Sequence, residues 1–211
     1  MVNTFLFSPR ANRKNRMEVQ VYHKRNLLLF GETVPSWLPW RTTGDFVAAR
    51  TTAPATLTLP MGNGSPTTFA PSICFEAIFT GAFNQAVASG AAFLVNITDD
   101  GWFGTTDEPS QHLNATILRA VETRRWLIRA SNSGISAFID PTGSVAASTA
   151  LGSPEVLRHS IGASSVVTPF VRYGNWPVAF SFGVLALLSA RGGNWNLLSK
   201  KAASVDAKPE V

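Results

Sequence analysis

One cysteine, Cys74, stands among the 211 residues, and it is the strongest nucleophile the chain offers. A lone cysteine packs most often as an inert small hydrophobe. The segment Ser72-Ile73-Cys74-Phe75-Glu76, however, falls where a strand-like apolar run gives way to a helix-like one. A thiol placed there faces backbone N–H groups that favour thiolate and can bind an oxyanion. Such a nucleophile needs a base, and histidine is the usual one. His23, His112 and His159 fall into no Cys-His-Asn order and lack metal-ligand spacing, so each reads as a structural histidine, and no metal or other cofactor is expected. Lys24 and Glu32 lie eight residues apart. A lysine that follows a strand and is held by a carboxylate could set a cation against a developing oxyanion, although a surface ion pair is the commoner outcome.

These side chains need elements to position them. Residues 4–7 and 19–22 read as strands separated by a basic, turn-like segment at 8–16. Residues 33–64 are rich in Pro, Gly, Thr and Trp and read as long irregular loops, with a strand at 55–59. Residues 67–74 read as a strand leading into a helix over 76–89, which Gly90 ends. Another strand is expected at 92–98, and helical spacing of Leu113, Ile117, Val121 and Ile128 predicts a helix over 110–130. Strands at 135–139 and 145–148 flank the turn Asp140-Pro141-Thr142-Gly143, and a further strand is expected near 156–161. Alternating β and α elements predict an α/β layered sandwich.

Composition narrows the function. Charged residues make up only 15% of the chain against an apolar share of 45%, which excludes a disordered chain. The net charge of +5 gathers towards the two ends, and the middle carries no basic stripe with interleaved aromatics, so nucleic acid is not an expected partner. No secretory signal pattern opens the chain. The charge deficit has two locations. Residues 33–72 hold just Arg41, Asp45 and Arg50, and residues 173–190 hold no charge at all across eighteen positions. As a helix, those eighteen residues would span roughly 27 Å, just short of a hydrocarbon core of about 30 Å. Trp176 at one end, with Arg191, Trp195, Lys200 and Lys201 beyond the other, fits interfacial aromatics and cytoplasmic basic residues. A transmembrane helix is therefore expected, with a buried helix of a soluble core as the competing reading.

Taken in order, these segments resemble the apolipoprotein N-acyltransferases, the membrane branch of the nitrilase (carbon-nitrogen hydrolase) superfamily. Residues 22–35, with Lys24 and Glu32, look like that family's lysine segment, and Ile73-Cys74-Phe75-Glu76 resembles its nucleophile elbow. Residues 96–104 with Gln111-His112, then Arg119-Ala120-Val121-Glu122, residues 129–136 and Asp140-Pro141-Thr142-Gly143 continue in the same order. Thr168-Pro169-Phe170 and Gly174-Asn175-Trp176-Pro177 resemble the approach to the family's last membrane helix.

The resemblance implies a partial αββα sandwich over residues 1–168, a segment leading into and forming a transmembrane helix over 169–191, and a basic cytoplasmic tail over 192–211. It implies an enzyme of the bacterial inner membrane whose catalytic domain faces the periplasm. Cys74 would take an acyl chain from a phospholipid as a thioester and pass it to the N-terminal diacylglyceryl-cysteine of an apolipoprotein. Lys24 would stabilise the oxyanion, Glu32 would orient the lysine and Glu76 would support the elbow. Phe75, Trp102 and Phe103 would line the substrate site. Two departures stand beside this. The family's general-base Glu lies upstream of the lysine, where this chain holds only Glu18 as a carboxylate. Leu29 and Phe75 stand where the family carries Pro and Tyr. The chain thus resembles a C-terminal half that would need an N-terminal half as partner. A soluble amidase of the same superfamily and an inactive membrane-associated remnant are the alternatives.

Overall fold

The structure, a computed structural model, describes residues 4–7, 19–39, 46–48, 56–61 and 65–192. The basic segment at 8–16, Glu18, Arg41, Asp45, Arg50 and the tail beyond Gly192 lie outside the described residues. The chain forms two compact units, Met1–Arg172 and Tyr173–Val211.

In the first unit, β1 (Thr4–Phe7) and β2 (Gln20–His23) make an antiparallel ribbon. The main sheet contains β3 (Leu57–Leu59), β4 (Thr67–Ile73), β5 (Phe93–Thr98), β6 (Leu127–Ser131), β7 (Ala137–Ile139) and β8 (Val145–Ser148), and its spatial order is its chain order. The three central strands are parallel, with Ser72 opposite Asn96 and Asn96 opposite Arg129; the outer pairs are antiparallel. The sheet is therefore mixed. Parallel neighbours need crossovers, which α1 (Thr80–Ala88) and α2 (Glu108–Thr123) supply. Both helices pack on one face, where Ala70, Leu94 and Leu127 from the strands meet Phe83, Val87, Leu113 and Ala120 in a fully buried core.

Residues of the opposite parity, Phe69, Ile73, Phe93, Val95 and Ile128, form a second apolar cluster on the other face together with Tyr22 and Leu57. Phe69 and Phe93 stack there with ring centroids 5.3 Å apart. This cluster borders an apolar cavity of about 390 Å³ that reaches from Leu59 and Met61 to Ile161 and Ala163.

Several expectations are corrected. The helix expected over 110–130 starts at Glu108 and stops at Thr123, because Arg124 adopts a left-handed conformation (φ 52°) as its C-cap; 127–131 is strand β6. The helix expected from Glu76 is broken in two, a 3-10 turn at Cys74–Ile78 and then α1. Residues 156–161 pair with no strand among the described residues.

The second unit holds α4 (Trp176–Gly192), which follows the short α3 (Pro169–Tyr173) along the chain. At 17 residues α4 is roughly 26 Å long, and no helix among the described residues is long and apolar enough to cross a membrane. The described residues therefore give no support to the transmembrane helix expected over 173–190. Its apolar side chains are nonetheless exposed on every side: Phe180, Phe182, Leu185, Leu187 and Leu188 all show more than half their surface.

Candidate active site

Three parallel strands that run side by side deliver the loops after β4, β5 and β6 to one end of the sheet, the usual place for a site in such sheets. The loop after β4 opens with Cys74. Its backbone sits at φ 52°, a left-handed conformation that costs a non-glycine residue about 1 kcal/mol or more and is held only where the surroundings impose it. The thiol is partly buried.

Glu76 shows how the turn is imposed. Its side chain is buried, and one carboxylate oxygen accepts from the Ile73 N–H at 2.8 Å and the Tyr22 hydroxyl at 2.8 Å. The other accepts from the backbone N–H groups of Arg25 at 2.5 Å and Asn26 at 3.1 Å. Burial, with the neighbouring carboxylate, pushes the Tyr22 hydroxyl well above its ordinary value, so it remains a donor. One side chain thus ties the elbow to residues 22–26, the segment that contains Lys24. From the helix side, Arg119 donates to the Ile78 carbonyl at 2.7 Å and closes the far end of the 3-10 turn.

Lys24 is buried, and its Nζ donates to both carboxylate oxygens of Glu32 at 2.8 and 2.7 Å. Glu32 also accepts the Leu28 N–H at 2.8 Å, inside a tight loop in which Phe30 takes φ 65°. The commoner surface ion pair is therefore not what forms: with the lysine 1% exposed, this pair is a desolvated and fixed one. The sequence-predicted Cys74, Glu76, Lys24 and Glu32 form one linked assembly.

The aromatic residues behave differently. Trp102, in the 3-10 turn Gly101–Phe103 after β5, is 73% exposed, and Phe103 beside it is half-buried. Phe75 packs edge-on against Phe79 with centroids 5.2 Å apart. Of the three, only Trp102 is largely exposed.

Beneath the elbow lies a polar group whose connections sequence reasoning missed. Asn96 donates to the Ser72 hydroxyl at 3.1 Å and to the Cys74 carbonyl at 3.3 Å, and its own carbonyl accepts from Arg129 at 2.6 Å. Arg129 also donates to Asp100 at 2.7 Å and to the Thr116 hydroxyl at 3.3 Å. Asp100 accepts from Thr98 at 3.0 Å and lies 3.0 Å from His112 Nδ1. Burial alone would raise the Asp100 carboxyl, but the His112 hydrogen bond and the Arg129 charge outweigh it and hold the group below the usual carboxylate range. With Asp100 ionised, His112 donates to it through Nδ1–H. A signal was present: Asn96, Thr98 and Arg129 share the strand parity of Leu94 and Leu127, so polar groups fall at core positions.

Among the described residues, no group of three or more His, Cys, Asp or Glu side chains could hold a metal ion. The arrangement instead suits covalent chemistry at sulfur. A strained elbow presents a thiol, and a buried cation is fixed on the segment that the elbow's own carboxylate holds.

Comparison with known proteins agrees. The carbon-nitrogen hydrolase family profile matches residues 5–168. The chain is 37% identical over 180 residues to a Bradyrhizobium diazoefficiens protein named apolipoprotein N-acyltransferase, covering 81% of this chain and 32% of that one. It is 33% identical over 184 residues to a Pseudomonas paraeruginosa protein of the same name, covering 85% and 34%. The chain thus spans about a third of the length of these relatives. Among solved structures, Saccharomyces cerevisiae Nit3, a member of branch 10 of the nitrilase superfamily, aligns with a TM-score of 0.50 at 17% identity, over 72% of this chain and 50% of that one. That likeness establishes a nitrilase-like fold.

Proposed function

This chain belongs to the carbon-nitrogen hydrolase family, and from that premise we propose that it carries the nucleophile of an acyl transfer from phospholipid to the N-terminal diacylglyceryl-cysteine of an apolipoprotein. The observation that supports this most is the Glu76 clamp, which links the Cys74 elbow to the segment bearing the Lys24–Glu32 pair. In the first step a general base takes the Cys74 thiol proton as sulfur adds to the ester carbonyl of the lipid, forming the C–S bond and a tetrahedral oxyanion. Its collapse breaks the ester C–O bond, and the base returns the proton to the alkoxide of the departing lysophospholipid. The transient oxyanion would be met by Lys24 and by N–H groups of the elbow. In the second step a neutral amine attacks the thioester, the C–N bond forms, the C–S bond breaks, and the amine's proton goes to the departing thiolate. Dividing one exchange into two keeps the acyl group activated throughout.

The apolar sheet face and its cavity fit a role for the rest of such an enzyme. A second sheet packing about 10 Å away would bury the partly exposed Val95 and Ile128, and the segment supplying it would bring the general base. Trp102 and Phe103 would meet the incoming acyl chain, with Phe75 lining the site behind them. The exposed apolar surface of α4 would meet lipid, which supports a location at the inner membrane, with the catalytic residues on the periplasmic side as part of the same reading.

The test is acyl transfer from phosphatidylethanolamine vesicles to a diacylglyceryl-cysteine peptide, with the chain alone and with the N-terminal region of a relative co-expressed. N-acylated peptide with the complemented chain is the expected product. Free fatty acid alone would turn the assignment to a hydrolase, and neither product under either condition would point to an inactive remnant.

A further inference from the structure

The buried polar group under the elbow touches two loops at once. On one side, Asn96 holds the carbonyl of Cys74, the residue whose positive φ must be maintained. On the other, Asp100 is the residue before the Gly101–Phe103 turn, and its carbonyl accepts the Phe103 N–H at 3.1 Å. Arg129 joins them. One guanidinium nitrogen donates to Asn96 and the other to Asp100, and the side chain is fully buried. A guanidinium is a rigid planar fork, so its two contacts are not independently adjustable. Packing leaves the Asp100 side little room as well: a Cβ on Gly134 would lie 2.2 Å from its carboxylate.

We propose that Arg129 is a positioning residue that fixes the Cys74 elbow, through Asn96, and the Trp102 loop, through Asp100, in one mutual arrangement. The nucleophile and the exposed aromatic loop then move as a unit instead of as two independent loops. The functional meaning rests on the reading of Cys74 as the nucleophile, since only then does the relation between thiol and loop matter for where an acyl chain lies. A buried ion pair is costly to desolvate and adds little net stability compared with apolar packing of the same volume. A role in geometry accounts for charge at this position.

The proposal is tested by non-local effect, with amide hydrogen exchange on the full chain carrying Asp100→Asn or Asn96→Ala. Asp100→Asn lies beside the Trp102 loop, yet it is expected to speed exchange about tenfold or more at Ile73 and Phe79, the elbow amides bonded to Glu76. Asn96→Ala lies beside the elbow and is expected to speed exchange at Phe103. The amides of α1 and of the β7–β8 pair are expected to stay within about twofold of the parent chain. Changes confined to each variant's own loop would overturn the proposal, and so would uniform acceleration across the sheet, which would mark the group as general scaffold. Should Asp100→Asn fail to fold, Asn96→Ala, which leaves the Arg129–Asp100 pair in place, decides alone. Exchange does not require acylation, so a Cys74 that forms no thioester would be recognised separately.

Discussion

The two faces of the central sheet are built from the same three strands and differ in almost everything else. On the helix-covered face, Leu94 and Leu127 are fully buried, and the polar residues among them, Asn96, Arg129 and Asp100, satisfy one another. On the other face, Val95, Ile97 and Ile128 are only partly buried, and Val95 and Ile128 border an apolar cavity. Adjacent residues of one strand therefore live in different environments, because successive side chains point to opposite sides. The lesson is about where positional precision comes from. The helix-covered face braces the Cys74 elbow from below, while the other face leaves apolar area around the cavity.

Substitutions can break that contrast, and the largest effect should fall on the braced face. Arg129→Met removes a cation whose partner Asp100 is fully buried, and about 3–5 kcal/mol of unfolding free energy should be lost in urea titration. A loss below about 1 kcal/mol would mean that the braced face is no more finished than the other. The next comparison uses neighbours in β5. Leu94→Ala should cost about 2–5 kcal/mol, and Val95→Ala about 1 kcal/mol or less, because a cavity opened on a face already open adds little.

Acid should discriminate the faces as well. The Asp100 carboxyl is held below its unfolded value, so the stability it contributes is fully present above that unfolded value, near pH 4, and is lost as pH falls through the lower folded value. An acid titration followed by circular dichroism should therefore lose part of its slope below about pH 4 in Asp100→Asn. An unchanged slope would place the acid-sensitive groups elsewhere. The smallest expected change in stability belongs to Ile128→Thr on the open face, within about 1 kcal/mol. Its signature is instead reduced binding of a hydrophobic dye, and unchanged dye binding would show that the face is already covered.

The sequence disclosed these regions unequally. Apolar runs located β4 and β5 within a residue or two, and the ordered resemblance singled out Cys74, Lys24, Glu32 and Glu76; Lys24 pairs with Glu32, and Glu76 bonds the backbone at Ile73, Arg25 and Asn26, on either side of the thiol and beside the lysine. The end of α2 was not legible, because Ile128 happens to continue the spacing of Ile117 and Val121 and no glycine or proline marks the stop. Arg124 takes the left-handed cap instead. Residues 156–161 carry strand-like composition without a ladder partner among the described residues, and their neighbourhood is held by a long-range contact: buried Arg125 donates to Ser164 at 2.9 Å and to the Val166 carbonyl at 2.7 Å. Such contacts between distant residues leave no local periodicity. The Asn96–Arg129–Asp100 connections were hidden for the same reason, although their strand parity marked them as core positions. Composition also marked the uncharged stretch at 173–190, most of which is helical in α4.

The central claim is that Cys74 carries an acyl group as a thioester, and the single cysteine makes a direct measurement possible. Intact-mass spectrometry of the full chain, incubated with phosphatidylethanolamine vesicles alone and with a co-expressed N-terminal region, reads that step without any acceptor. The account predicts an added mass of one acyl chain in the complemented sample, removed by neutral hydroxylamine and absent from Cys74→Ala. No adduct under either condition, or an adduct that persists in Cys74→Ala, would contradict it.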